Sequence, residues 1–320
     1  MQATLLRRRQ LILGAAALGS AIILPACGGG GGGTDLSDRR NLLDLAKSKP
    51  ELSTFVEAVG KAGLNDTVSN QGTNTVFAPT NDAFNALFVE LGTTKDALFA
   101  DTATLTAVLK FHIIGKVITR DSIPSGKSIE PIGGGFFKID QSGDTYTFTD
   151  GRNRTGHVTS FDSVALNGTL HELDRVMLPA NMDIVQTIGS KPELATLAAA
   201  LTAAGLNDTL KGVGPFTVFA PTNDAFAALL VELGVTQSAL LADTARLRTI
   251  LTYHVLQARK LKKEIDTDTA LTTVQGATFR VSSNNYQITD AKGRVANITA
   301  ADIINTNGVI HEIDKVLLPS

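Results

Sequence analysis

Beyond Asp38 the apolar positions follow a helical spacing first and a strand spacing later, and the whole progression occurs twice. Ser48-x-x-Glu51, with Pro50 between, predicts a capping box that opens a helix, and Gly63 predicts its end; Ser190-x-x-Glu193 and Gly205 repeat the pattern. Thr75–Ala78 is a short β-branched and aromatic run that predicts a strand, closed by Pro79. Thr80-Asn81-Asp82 opens a second helix through Ala83–Leu91, with Asp82 near the positive end of its dipole. Further helical stretches are expected around Thr94–Phe99 and Thr102–Phe111. From Val117 the runs shorten and alternate between Gly, Asn and Asp, predicting strands at Phe136–Ile139, Thr145–Thr149, His157–Thr159 and Thr169–Leu178. Helices and strands in separate blocks imply an α+β fold with an antiparallel sheet.

The repetition is literal in places. Thr75–Phe84 and Thr217–Phe226 both read TVFAPTNDAF, an offset of 142 residues. KPEL recurs at Lys49 and Lys191, and AGLNDT at Ala62 and Ala204. HELDRVMLP at His171 faces HEIDKVLLP at His311, an offset of 140, so two residues drop out between the copies. Ile139 and Val281 still match at 142 while Tyr146 and Tyr286 match at 140, which places the loss in the turn Gln141–Thr145, opposite Ser282–Asn285. The period is that of a whole domain, far above the roughly 20–50 residues of a solenoid repeat. Two tandem domains are expected, 38–180 and 181–320.

Residues 1–26 have the form of an export signal, with Arg7-Arg8-Arg9 before the apolar run Leu11–Leu24 and small residues at the junction. That run is shorter than the roughly 20 residues a spanning helix needs. Arg8-Arg9 also has the look of a twin-arginine signal. Leu24-Pro25-Ala26-Cys27 resembles a bacterial lipobox, which makes Cys27, the only cysteine, the expected lipidation site. Gly28–Gly33 cannot sustain a helix or strand, so residues 27–37 are expected to be the lipidated cysteine and a flexible tether.

The chain has 29 basic and 31 acidic residues; three of the arginines fall within 1–26, leaving 26 against 31 and a net charge of −5 in the remainder. No basic patch or tail appears, which argues against nucleic acid as a partner. With no tryptophan and three tyrosines, a sugar-stacking platform is poorly provided for. His112, His171, His254 and His311 recur by repeat, whereas His157 aligns with Asn297. A histidine pair with Asp82 or Asp224 is the raw material of a metal or acid/base site. The pattern favours structure instead: His311 shares a strand face with Val309 and Ile313, which predicts a half-buried residue, and His112 and His254 end apolar helices, where a histidine can cap carbonyls. There is no nucleophile elbow, HExxH or P-loop, so no catalytic residues, metal or cofactor are expected.

TVFAPTNDAF, then LKFHII at Leu109 and LTYHVL at Leu251, then NGxxHxxDxxxLP at Asn167–Pro179 and Asn307–Pro319, together resemble the fasciclin-type domain. The resemblance covers both copies and implies a compact wedge of about seven strands with helices packed on it. It also implies a non-catalytic role in adhesion or surface interaction. In eukaryotic members a Tyr-His pair and an Asp-Ile pair are assigned to integrin binding. Repeat two keeps both, as Tyr253-His254 and Asp302-Ile303, while repeat one departs at both, with Phe111-His112 and Asp162-Ser163. Tyr253, His254, Asp302, Ile303, Phe111 and His112 are therefore the candidate interaction surface. The functional expectation is an exported, lipid-anchored envelope protein, at the outer membrane or periplasmic face, that recognises a surface protein, matrix or glycan. The alternative is a periplasmic solute- or polysaccharide-binding lipoprotein, for which a deep interdomain cleft with convergent polar groups would be required.

Overall fold

The computed structural model describes residues 40–70 and 72–320; the expected signal 1–26, Cys27 and the tether to residue 37 lie outside them. The first domain opens with a short helix that the capping-box expectation missed. Helix α1 (Leu42–Lys47) is capped by Asn41, whose side chain accepts from the Asp44 N–H at 2.9 Å. Ser48 closes this helix, its hydroxyl donating to Leu45 O at 2.6 Å. Lys49 is extended, and Pro50–Leu52 is a 3₁₀ turn leading into α2 (Ser53–Lys61). A residue before proline is driven out of the helical region, so the break falls at Lys49 and the serine belongs to the helix behind it. The predicted Ser48 and Ser190 boxes therefore do not form; Ser190 likewise donates to Thr187 O at 2.8 Å.

Helix α3 (Asn65–Ser69) follows a left-handed Gly63, then strand β1 (Asn74–Pro79) and helix α4 (Asn81–Leu91), capped by Thr80 as expected. Asn81 does more than start the helix: its Nδ2 donates to Pro50 O and its Oδ1 accepts from the Thr54 N–H, both at 2.9 Å, stitching α4 to the α2 entry. Helices α5 (Lys95–Ala100) and α6 (Thr102–Lys110) complete the helical block. The strands are β2 (Ile113–Ile114), β3 (Ser128–Ile129), β4 (Phe137–Ser142), β5 (Thr145–Thr149), β6 (Thr155–Ala165) and β7 (Gly168–Leu173), ordered β2-β1-β7-β6-β5-β4-β3. All pairings are antiparallel except β1 with β7, which run parallel from Asn74 opposite Gly168 to Pro79 opposite Leu173. The expectation of a purely antiparallel sheet is corrected there: the whole run from α4 through β6 supplies the long connection that a parallel pair needs.

Alternation along β1 divides the interior into two cores. Val76 and Ala78 face the helices with Phe55, Phe84 and Leu109, while Phe77 faces Phe137, Phe148 and Met177 on the other side. Asn167, in the β6–β7 turn, ties the ends of the domain together: its Oδ1 accepts from the Leu42 N–H and its Nδ2 donates to Val68 O and Asn70 O, each at 2.8 Å. Gly168 beside it has φ +148°, and a Cβ there would lie 1.8 Å from Asn74 O, so no larger residue fits that crossing.

The second domain repeats the plan with helices α7 (Ile184–Ser190), α8 (Ala195–Ala203), α9 (Asn207–Leu210), α10 (Asn223–Leu233), α11 (Gln237–Ala242) and α12 (Thr244–Tyr253). Its strands are β8 (Phe216–Pro221), β9 (Val255–Leu256), β10 (Ala270–Thr272), β11 (Thr278–Val281), β12 (Ile288–Thr289), β13 (Val295–Ala296), β14 (Ile298–Asn305) and β15 (Gly308–Ile313). A break at Asn297 splits the sheet into β10-β11-β12-β13 and β14-β15-β8-β9, with β8 and β15 again parallel. The two-residue loss shortens the β11–β12 hairpin, yet Val281 opposite Ile288 repeats Ile139 opposite Phe148, so register beyond the loss is kept.

The two domains are in contact. Lys138 of β4 reaches Asp302 at 2.8 Å, and Glu264 accepts from the Ser128 N–H at 2.8 Å and its hydroxyl at 2.6 Å. Asn153 exchanges two hydrogen bonds with the Ile304 backbone, and Arg259 pairs with Glu130 while lying 4.5 Å over the Phe136 ring. Phe136, Leu261, Ile304 and Val309 form a small apolar cluster at this junction. Burial alone would lower the pKa of the Lys138 ammonium; Asp302 first and Asp140 second raise it above its ordinary value.

Each domain keeps its own two large cores, and only the four-residue cluster mixes them. Residues 38–180 and 181–320 are expected to fold separately with cooperative melts, checked by calorimetry; halves that gain structure only on mixing would refute this. Phe84→Ala is expected to cost about 3–5 kcal/mol by urea denaturation, as for a fully buried ring. Asp82→Asn, in the exposed first turn, is expected to cost about 0.3–1 kcal/mol.

Candidate interaction surface

The six expected surface residues are mostly interior. Phe111 and Tyr253 are fully buried, Phe111 with its ring centroid 5.8 Å from Phe137, and Tyr253 with its hydroxyl donating to Thr278 O at 2.7 Å and accepting from the Ala291 N–H at 3.0 Å. Asp302 sits in a β-bulge with φ +62°, where its carboxylate accepts from the Lys262 N–H at 2.6 Å and meets Lys138 across the junction. Ile303 is half-buried against the helical core of the second domain. The side chains that the Tyr-His and Asp-Ile pairs offer therefore form core and domain junction, not one exposed patch. Asp162, the counterpart of Asp302, is exposed and caps the Arg120 N–H at 3.0 Å.

The repeated histidines are all buried, including His311, for which half-burial was expected. His112 and His254 bond through Nδ1 to Val108 O and Ile250 O at 2.8 Å, and accept through Nε2 from the Met177 and Leu317 N–H groups at 2.9 Å. Those partners assign the Nδ1–H tautomer and tie the helix end to the last segment of each domain. His171 and His311 are reversed: Nδ1 accepts from the bulged Asp162 and Asp302 N–H groups, and Nε2–H donates to Ile118 O at 2.7 Å and Lys260 O at 2.9 Å. Each ring makes one donated and one accepted bond to backbone, so each must be neutral. Burial pushes His112 and His254 down to about 4, and lowers His171 and His311 in the same direction.

A second buried device went unseen in the sequence. Asp150 lies at the end of β5 with no exposure and accepts from the Arg152, Arg154 and Leu178 N–H groups, each at 2.9 Å, and from the Arg154 guanidinium. Asp290 repeats the three backbone bonds with Lys292, Arg294 and Leu318. The signal available was an Asp followed four places later by Arg in both copies, at Asp150-Arg154 and Asp290-Arg294.

Next to it the first domain carries an open groove of about 690 Å³ between α4 and the start of β6. It is lined by exposed Ala86 and Val89, by buried Gly156, and by Glu90, His157, Asp174 and Arg175. Arg175 first, with Arg154, holds the Glu90 carboxyl below its ordinary value. His157, in β6, pairs with Asp174 at 2.8 Å, and Asn297 makes the same two contacts to Asp314 in the second domain, so this is a repeated contact between a strand edge and the bend after the last strand. No cluster of three metal-ligating side chains occurs among the described residues. The pocket at the junction, about 270 Å³, is smaller than this groove.

The sequence pattern of the fasciclin domain matches twice, over residues 50–179 and 192–319. The chain belongs to the fasciclin domain family. Two tandem fasciclin domains also relate it to larger animal proteins. It is 28% identical over 285 residues to the transforming growth factor-beta-induced protein ig-h3 of Sus scrofa, covering 84% of this chain and 40% of that protein. It is 27% identical to human periostin over 294 residues, covering 89% and 32% respectively. The chain thus spans well under half the length of these relatives. Protein sll1483 of Synechocystis is 39% identical over 140 residues, 43% of this chain and 74% of that protein. A solved FAS1 domain pair from the insect cell adhesion molecule Fasciclin I aligns over 84% of this chain and 97% of its own, with 19% identity and a TM-score of 0.43.

The neutral histidines are expected to make the fasciclin domains acid-sensitive. The unfolded chain takes up protons near 6.5 and the folded chain, at His112 and His254, only near 4, so stability is full above 6.5 and falls as pH drops through that window. The loss is expected to reach roughly 3 kcal/mol per domain from this histidine alone, read as a falling urea midpoint between pH 6.5 and 4. Ring proton shifts of His112 or His254 that move near pH 6.5 in the folded protein would refute the assignment.

Proposed function

We propose that this chain is an exported, lipid-anchored recognition protein whose two fasciclin domains engage a surface protein, matrix component or glycan without chemistry of their own. The observation that carries this reading is the pairing of two complete fasciclin domains with histidines that are all committed to backbone bonds or, for His157, to a surface contact with Asp174. A proton shuttle needs a ring with a free nitrogen near a substrate, and the buried rings have none to offer. Family membership supports the adhesive role, since the tandem domains relate this chain to cell-adhesion proteins. The open groove of the first domain, lined by Ala86 and Val89 beside the charged Glu90, Asp174 and Arg175, is the surface we assign to partner contact.

The anchor rests on the basic n-region, the apolar run and Cys27, followed by six glycines that would let the domains stand away from a bilayer. No helix among the described residues is long and apolar enough to cross a membrane. A lipoprotein carries two or three acyl chains, enough for stable attachment where one is marginal.

Two outcomes are expected. The wild-type chain partitions into the detergent phase of a cloud-point separation and Cys27→Ala leaves it in the aqueous phase; equal partitioning would sink the anchor. In a glycan array or a pull-down with residues 34–320, Val89→Glu lowers capture while the melting temperature is unchanged, because Val89 stands exposed on the groove. Capture insensitive to that change would move the contact surface elsewhere.

A further inference from the structure

The junction inside this chain has an unused counterpart. The second domain docks through a face built from Arg259, Leu261, Glu264, Asp302 and Ile304, which meets the β3–β4 pair of the first domain. By the repeat, the first domain carries the same face at Val117, Thr119, Ser122, Asp162 and Val164. Ile304 is 2% exposed at the junction, whereas Val164 is 68% exposed and the neighbouring Leu166 69%. Isolated exposed apolar residues are ordinary, but Val164 lies at the end of β6, at a position whose counterpart in the same chain, Ile304, is a contact.

The docking partner of that face is repeated as well. Ser128 and Lys138, opposite each other on β3 and β4, correspond to Ala270 and Arg280, opposite each other on β10 and β11. Thr272 and Thr278 take the places of Glu130 and Phe136, and all four of these second-domain residues are exposed. Where Lys138 meets Asp302 inside the chain, Arg280 of one copy would meet Asp162 of another, so this one ion pair keeps its signs, while the Arg259–Glu130 pair is replaced by Val117 and Thr272.

We propose that copies of this chain associate head to tail, the β10–β11 pair of one docking on the Asp162–Val164 face of the next. The contact uses different surfaces on its two sides, so it leaves a free docking face at one end and a free strand pair at the other and builds an open row, not a closed dimer. Thr278 in place of Phe136 makes it a smaller apolar contact than the internal one, so association is weak and rises with concentration.

The test is sedimentation velocity of the full chain in non-ionic detergent at low salt over a range of concentrations. The average mass is expected to climb with concentration. Val164→Glu and Arg280→Glu should each weaken association by roughly tenfold or more, the scale of one lost contact at such a surface. Neither residue lies in a core, so melting curves should match the wild type, and Lys211→Glu, at an exposed turn residue outside both docking sets, should associate normally. A wild-type chain that stays single at every concentration, or variants that associate as it does, would overturn the proposal. So would a single chain whose capture by phosphatidylglycerol vesicles is lost in Val164→Glu, which would assign the face to a bilayer.

Discussion

The structure of each domain hangs on the parallel pairing of its first and last strands. β1 lies beside β7, and β8 beside β15, so the strand that opens the sheet is next to the strand that closes it. Roughly ninety residues must be ordered before that pair can form, and loop closure over that length is costly. What offsets the cost is the density of bonds at the seam. Asn167 and Asn307 hold the first helix and the turn before the first strand, and two histidines per domain join the seam to the helix end and to the bulged neighbouring strand. These groups are buried, so each bond that fails leaves an unsatisfied polar atom behind.

That seam explains which parts of the fold were readable. TVFAPTNDAF announces a strand, a stop and a capped helix because each step has a local cause in proline, threonine and apolar alternation. The paired Asp82 and Asp224 and the ends of α4 and α10 followed directly. The parallel pairing could not be read in the same way, since nothing in either strand states which distant segment lies beside it. The first helices escaped notice because their caps, Asn41 and Asp183, precede a serine that fits a cap motif better on paper. Proline settled that competition by forcing an extended residue ahead of itself.

The candidate surface was legible only in part, for a related reason. An aromatic-histidine pair at a helix end and an Asp-Ile pair on a strand look alike whether they point outward or inward, and the sequence supplies no direction. Here the aromatic ring goes to the second core, the histidine to a backbone bond and the aspartate to a bulge. The groove of the first domain was invisible for another reason: its lining comes from α4, β6 and the segment after β7, and its one buried member, Gly156, is a position where a Cβ would strike the Phe148 ring at 2.5 Å. In the second domain Ile288 faces Ala296 at the same register, a smaller side chain opposite a larger one. The two repeats thus keep one volume at that pair while shaping the surface outside it differently.

Four of the five histidines have their rings sealed in the interior, and His157 alone keeps its ring half open on the rim of that groove. An imidazole-directed reagent such as diethylpyrocarbonate therefore meets a single target on the folded chain. Nature has left a one-site label beside the surface of greatest interest, and its protection by an added partner would report occupancy of the groove with no engineered probe.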